Sequence, residues 1–185
     1  MSSDAVDLAI ICSSKAEDFV ENDNRFDIIP NFISNSSIVV SKKENPRVIG
    51  VSQNRQYEID MVKSQFGDNC EVVEIASRAL PYALEKGEVD AIVVDYLKSL
   101  PIQGYRIFPQ QKKDFSTFSI VIRKELKDDK RYKKFITIYN ETISDLLREY
   151  KFLELISKVR NKEYLDKGRK EEWKKLNLRI LTLEK

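Results

Sequence analysis

Along the middle of the chain, apolar and polar positions change period from two to three or four and back again. Residues 47–51 (RVIGV) are a short apolar run that ends in the polar turn Ser52-Gln53-Asn54. Tyr57, Met61, Val62 and Phe66 then recur at helical spacing, with Gly67 where a C-terminal cap belongs. Val72, Val73 and Ile75 predict a second strand. Ser77 is placed to cap a helix carrying Leu80, Ala83 and Leu84, with Pro81 tolerable in its first turn and Gly87 at its end. Residues 90–95 (DAIVVD) predict a third strand, apolar on both faces in its middle as a strand covered from both sides should be. Short strands separated by helices predict right-handed crossovers and a parallel sheet.

The flanks are less regular. Residues 6–11 predict a strand, Cys12-Ser13-Ser14 a small polar turn, and 16–22 a short helix. Residues 26–42 read as extended, broken into two by Pro30 and Asn35-Ser36, and Asn45-Pro46 turns into the central stretch. Beyond it come one helical turn at 96–100, stopped by Pro101, and strands at 105–108 and 115–123. Asp128-Asp129 opens a long helix whose apolar stripe is Tyr132, Phe135, Ile136, Tyr139, Ile143, Leu146, Leu147 and Tyr150, a pattern of core packing. A further helix is predicted at 152–159. Residues 162–175 are charged and anchored only by Tyr164, Leu165 and Trp173, and 178–183 (LRILTL) have the composition of a strand.

Composition narrows the chemistry. The 185 residues suffice for one core or two small lobes. Lys+Arg 32 against Asp+Glu 30 leave a net charge of +2, which makes no case for nucleic acid. The absence of histidine removes histidine-based triads, histidine metal sites and the usual neutral-pH proton shuttle. No cofactor and no metal site is expected. Cys12 and Cys70 lack CxxC spacing and are read as two thiols rather than a disulfide. No run reaches the length of a membrane span, and the first residues lack the basic start and apolar core of a signal peptide. The expected location is the cytoplasm, or outside it if an N-terminal signal has been removed.

The order of elements resembles the type II periplasmic-binding-protein family of solute-binding proteins. The resemblance is carried by residues 7–42, 47–123 and 130–159, and above all by 84–95 (LEKGEVDAIVVD). It implies an α/β fold of two small lobes with parallel or mixed sheets flanked by helices. Residues 1–42 and 124–185 would form a discontinuous, incomplete lobe one, and residues 43–123 lobe two. The strand–helix–strand–helix segment that opens the family's first lobe has no counterpart here. The segment 178–183 resembles the family's first strand, so it is expected to fill that position in its own chain or in a partner's.

In open parallel sheets ligands sit beyond the carboxyl ends of the strands. The candidates there are Ser13 and Ser14, Ser52, Gln53, Asn54 and Arg55, Ser77, and Asp95 with Tyr96. Free N–H groups at 52–54, leading into a helix, would suit a carboxylate or phosphate, and Arg55 and Arg78 would suit an anion. Among amino-acid-binding relatives an acidic residue near Asp95 receives the ligand amine. Their carboxylate-gripping arginine, however, has no equivalent in Ser13-Ser14-Lys15-Ala16-Glu17. The expected function is non-enzymatic small-molecule binding or sensing, with an anion among the candidate ligands and closure of two lobes as the mechanism. Two alternatives stand beside it. One is a degenerate interaction or assembly module, with a homodimer as one outcome. The other is an enzyme on the same fold using Asp95 or Lys15.

Overall fold

The computed structural model describes residues 6–110, 114–147, 151–160 and 167–184. The expected stripe member Tyr150 and the anchors Tyr164 and Leu165 lie outside them. The chain divides into two compact units, Met1–Ile33 with Phe118–Lys185, and Ser34–Thr117. It passes between them at 33/34 and 117/118.

The second unit holds strands β3 (Ser37–Ser41), β4 (Val48–Ser52), β5 (Glu71–Ile75), β6 (Ala91–Asp95) and β7 (Tyr105–Ile107), in the sheet order β5-β4-β6-β3-β7. Strand β4 is parallel to β5 and β6, to which it is joined through helices α2 (Gln56–Phe66) and α3 (Leu80–Lys86). Strand β3 runs antiparallel to both β6 and β7. The sheet is therefore mixed: β4, β5, β6 and β7, the last entered through the one-turn helix α4 (Tyr96–Ser99), point one way, and β3 alone runs against them between β6 and β7. Met61 and Val62 of α2 pack with Val39, Ile49, Val51, Ala91 and Val93 in one fully buried cluster. Against the opposite face lies α3. A Cβ at Gly50 would meet Leu80 Cδ2 at 3.0 Å and Ile92 Cγ2 at 3.4 Å, so the glycine sets how closely this helix approaches β4.

Three local expectations are corrected here. Helix α3 begins after Ala79, not Ser77; no side chain caps it, and its first turn is entered through a tight turn in which Ala79 N–H donates to Ala76 O at 2.7 Å. Ser13 and Ser14 are not a turn. They are the first residues of helix α1 (Ser13–Asn22), which follows strand β1 (Leu8–Cys12) without a break. Pro30 does not interrupt its strand. β2 (Phe26–Ser34) runs through it, with Pro30 and Asn31 both exposed and Asn31 left-handed (φ 56°), a local irregularity that asparagine tolerates.

The first unit is built on the order β1-β8-β2-β9, with β8 (Ser116–Arg123) antiparallel to β1. Helix α5 (Lys130–Leu146), capped by the Asp129 carboxylate on Arg131 N–H at 2.7 Å, buries Tyr132 and Ile136 with Phe32, Ile120 and Ile122. On α1's side, Ala16, Phe26 and Val121 form a second small cluster. Helices α6 (Lys151–Arg160) and α7 (Lys167–Leu176) meet through stacked Phe152 and Trp173, 5.1 Å apart.

The C-terminal segment belongs to this unit. Only Arg179–Ile180 is a strand, β9, shorter than the predicted 178–183, and it lies next to β2 of its own chain. Leu181 N–H donates to Phe32 O at 2.9 Å, and Tyr139 Oη donates to Leu181 O at 2.7 Å. Asn140 brackets Leu183 with two hydrogen bonds, accepting from its N–H at 2.9 Å and donating to its carbonyl at 2.8 Å. The Leu183 side chain enters the core, 5% exposed.

Candidate functional site

Because β4, β5 and β6 run parallel, Ser52, Ile75 and Asp95 end on one edge of the second unit's sheet. The antiparallel register pairs Ser37 with Asp95, so Ser36 and Ser37, at the start of β3, join the same edge. Ser52, Gln53, Asn54, Arg55, Ser77, Asp95 and Tyr96 are thereby gathered on one side of one unit. Ser13 and Ser14 belong to the other unit, where Ser13 is buried and its hydroxyl pairs with that of Ser119 at 2.9 Å.

The expected anion seat at 52–54 is already taken by the chain itself. Glu58, in the first turn of α2 and 1% exposed, accepts from Ser52 N–H at 2.6 Å and from Arg55 Nη1 at 3.0 Å. Tyr57 Oη donates to the same carboxylate at 3.2 Å, accepts from Arg55 Nη1 at 3.2 Å and lies 3.4 Å from Ser37 Oγ. Gln53 N–H donates to Ile75 O at 3.0 Å, and Asn54 N–H to Glu74 Oε1 at 3.0 Å. All three N–H groups proposed for an external anion are thus spent internally, two of them on carboxylates. The physical reason is the helix terminus itself: its positive end attracts the nearest acid, and Glu58 is tethered there. Burial pushes the Glu58 carboxyl up from its ordinary value, although Ser52 N–H and Arg55 pull it down. Tyr57 is likewise pushed up, first by burial and then by the neighbouring Glu58.

The remaining groups are differently occupied. One Asp95 oxygen caps α4 by accepting from Leu97 N–H at 3.0 Å, while its second oxygen makes no hydrogen bond among the described residues. Tyr96 is 2% exposed and tilted against Phe108 with centroids 6.2 Å apart, so its ring covers the core instead of offering a stacking face. Ser36 Oγ is buried and has no hydrogen-bond partner among the described residues. Beside it, left-handed Asn35 (φ 65°) ties down Asp114 and the Phe115 N–H, both at 2.9 Å. Gln53, Asn54 and Ser77 are exposed on the same edge. Among the described residues no three acidic or thiol side chains gather as a metal ion would require.

Sequence reasoning missed Glu58, Tyr57, Ser36 and Ser37. For Glu58 a signal was present: an acid in the first turn of a helix is drawn to the positive end that the strand-to-helix turn also offers a ligand. Ser36 and Ser37 carried no signal, since they reach the edge only through the pairing of β3 with β6.

No protein-family model and no curated protein matches the chain. Solved structures do. An ABC transporter from Parabacteroides distasonis superposes with a TM-score of 0.67 at 10% identity, covering 96% of this chain and 69% of that one. The chain has the type II periplasmic-binding-protein fold. The ligand-binding component of an ABC-type import system from Staphylococcus aureus, solved with zinc bound, gives a TM-score of 0.65 at 11% identity over 96% and 68% of the two chains. The alkanesulfonate-binding protein of Xanthomonas axonopodis pv. citri, bound to MOPS, gives 0.63 at 10% identity over 96% and 70%. These neighbours are named for binding and import, not for catalysis. No helix among the described residues of this periplasmic-binding fold is long and apolar enough to cross a membrane.

Proposed function

We propose that this chain is a non-enzymatic small-molecule-binding protein of the solute-binding kind, and that its second unit presents ligand groups at the carboxyl edge of its sheet. Ser36, Ser37 and the outer Asp95 oxygen form the polar floor, with Gln53, Asn54 and Ser77 as an exposed rim. The observation that carries this reading is the buried, unpartnered Ser36 hydroxyl. A buried hydroxyl without a partner costs about 1–3 kcal/mol, and a ligand atom hydrogen-bonded to it recovers that cost. Titration calorimetry against a library of polyols, amines and small acids tests the proposal. A ligand found this way binds at least about tenfold more weakly to Ser36→Ala or Asp95→Asn, as loss of one hydrogen bond to a charged or buried group predicts. Folded protein that gives no heat with any class, or variants that bind as tightly as the parent, counts against it.

A second reading, a homodimer, is favoured by β1. That strand leaves one side of the sheet without a neighbour among the described residues and shows Ile10 half exposed, at 50%. Open apolar edges invite strand addition. Light scattering across a wide concentration range tests it: a dimer that Ile10→Lys converts to monomer supports edge pairing, and a monomer throughout removes it.

A further inference from the structure

Glu58 takes up Arg55, one of the two cations that the sequence places near the strand ends; the other, Arg78, is exposed beside Ser77. We infer that Glu58 is a built-in counter-ion that sets the ligand's charge class, so that the edge admits neutral or cationic polar molecules and turns away small oxyanions. This rests on the reading that the edge binds ligand, but its test needs no natural ligand.

Four observations converge. The Glu58 carboxylate is almost wholly buried and takes three hydrogen bonds, from Ser52 N–H, Arg55 Nη1 and Tyr57 Oη, which is the donor set an oxyanion would use. Arg55 is paired with it at 3.0 Å and so brings no net positive charge to the edge. The next two N–H groups, at Gln53 and Asn54, are spent on Ile75 O and Glu74. Inside the exposed rim of Gln53, Asn54, Ser77 and Arg78, the groups with spare hydrogen-bonding capacity are a carboxylate oxygen on Asp95 and the hydroxyl of Ser36. An oxyanion approaching Asp95 meets a like charge, against which the Ser36 hydroxyl offers a single O–H donor. An ammonium, an amide N–H or a sugar hydroxyl meets partners.

Inorganic sulfate and phosphate are the probes, titrated at constant ionic strength against chloride, with the melting temperature and calorimetric heat as readouts. Wild-type protein is expected to show no saturable response. Glu58→Gln, which keeps the shape of the side chain and removes its charge, is expected to gain at least tenfold in sulfate affinity. The double variant Arg55→Met/Glu58→Gln is expected to lose that gain. Glu58→Ala covers the case in which Glu58→Gln is poorly folded. Emptying the seat lowers the melting temperature, and sulfate is expected to restore several degrees of it where chloride does not. Saturable sulfate binding by the wild type overturns the inference, as does the lack of any sulfate response in both Glu58 variants. Failure to find a natural ligand bears on the proposed function alone, since the sulfate response is read independently of it.

Discussion

The second unit is a run of neighbours and the first is a meeting of ends. In the second, β4, α2, β5, α3 and β6 follow one another in sequence and pack against one another in space, with helices on both faces of the sheet. In the first, β1 near one end of the chain pairs with β8, more than a hundred residues later, and β9 at the other end lies against β2. Local pattern is enough to nucleate the one. The other forms only once distant segments have paid the entropy of coming together. The two also differ at their polar edges: the second unit carries a buried, charge-compensated network around Glu58, whereas the pairing of Ser13 with Ser119 is a neutral contact.

The largest expected effect tests the dependence of the first unit on its C-terminal strap. Leu183→Ala empties a buried site in the cluster of Phe32, Ile120, Ile122 and Ile136, at a cost of about 2–5 kcal/mol. Hydrogen exchange is expected to accelerate in 8–33 and 118–147 and to change little in 48–95. Equal acceleration everywhere would show that the two units unfold together and would break the comparison. Gly50→Val makes the reverse test. The added carbons press on Leu80 and Ile92, where overpacking costs about 1–3 kcal/mol, and faster exchange is expected in the second unit first.

Two smaller effects sharpen the electrostatic side. The Lys43 ammonium, with help from the N–H groups of Arg47 and Val48, holds the Asp90 carboxyl at about 2, below its ordinary 3.8. A depressed carboxyl stabilises the fold above its unfolded value, and that contribution is lost as pH falls from near 4 through 2. Asp90→Asn is expected to have a lower melting temperature at neutral pH and a flatter decline in acid. Glu58 works in the opposite direction. Because its folded value is raised, stability falls as pH climbs from the ordinary carboxylate range through the raised value. Melting curves from pH 4.5 upward are expected to decline less in Glu58→Gln than in the parent; a parallel decline would show that Glu58 is not the titrating group.

The contrast between the units also explains what could be read in advance. Val48–Ser52, Gln56–Phe66, Glu71–Ile75 and Ala91–Asp95 lie close to where apolar spacing put them, and Gly67 and Gly87 adopt the positive φ angles (72° and 74°) that their helix ends require. The misreadings cluster where the deciding partner is remote. Small polar neighbours predict a turn at Ser13, yet it begins a helix, with its hydroxyl paired to Ser119. Pro30 by its chemistry predicts a break, yet the pairing of β2 with β8 and β9 carries the strand past it. At the site, Asp95 and Arg55 were legible as strand-end and helix-start residues, but not the use to which each oxygen and N–H is put.

The sequence by itself determined the elements of the second unit, their helix-linked parallel core and the chemistry missing for want of histidine. These depend on spacing and composition, which are local properties of the chain. Only the tertiary structure decided that β3 would bring Ser36 and Ser37 to the edge beside Asp95, that Asn140 would hold Leu183 in the first unit's core, and that Glu58 would fill the seat a ligand anion was expected to take. Each of these is a choice among competing hydrogen-bond partners. Such choices are settled by three-dimensional proximity and burial, and no one-dimensional pattern records either.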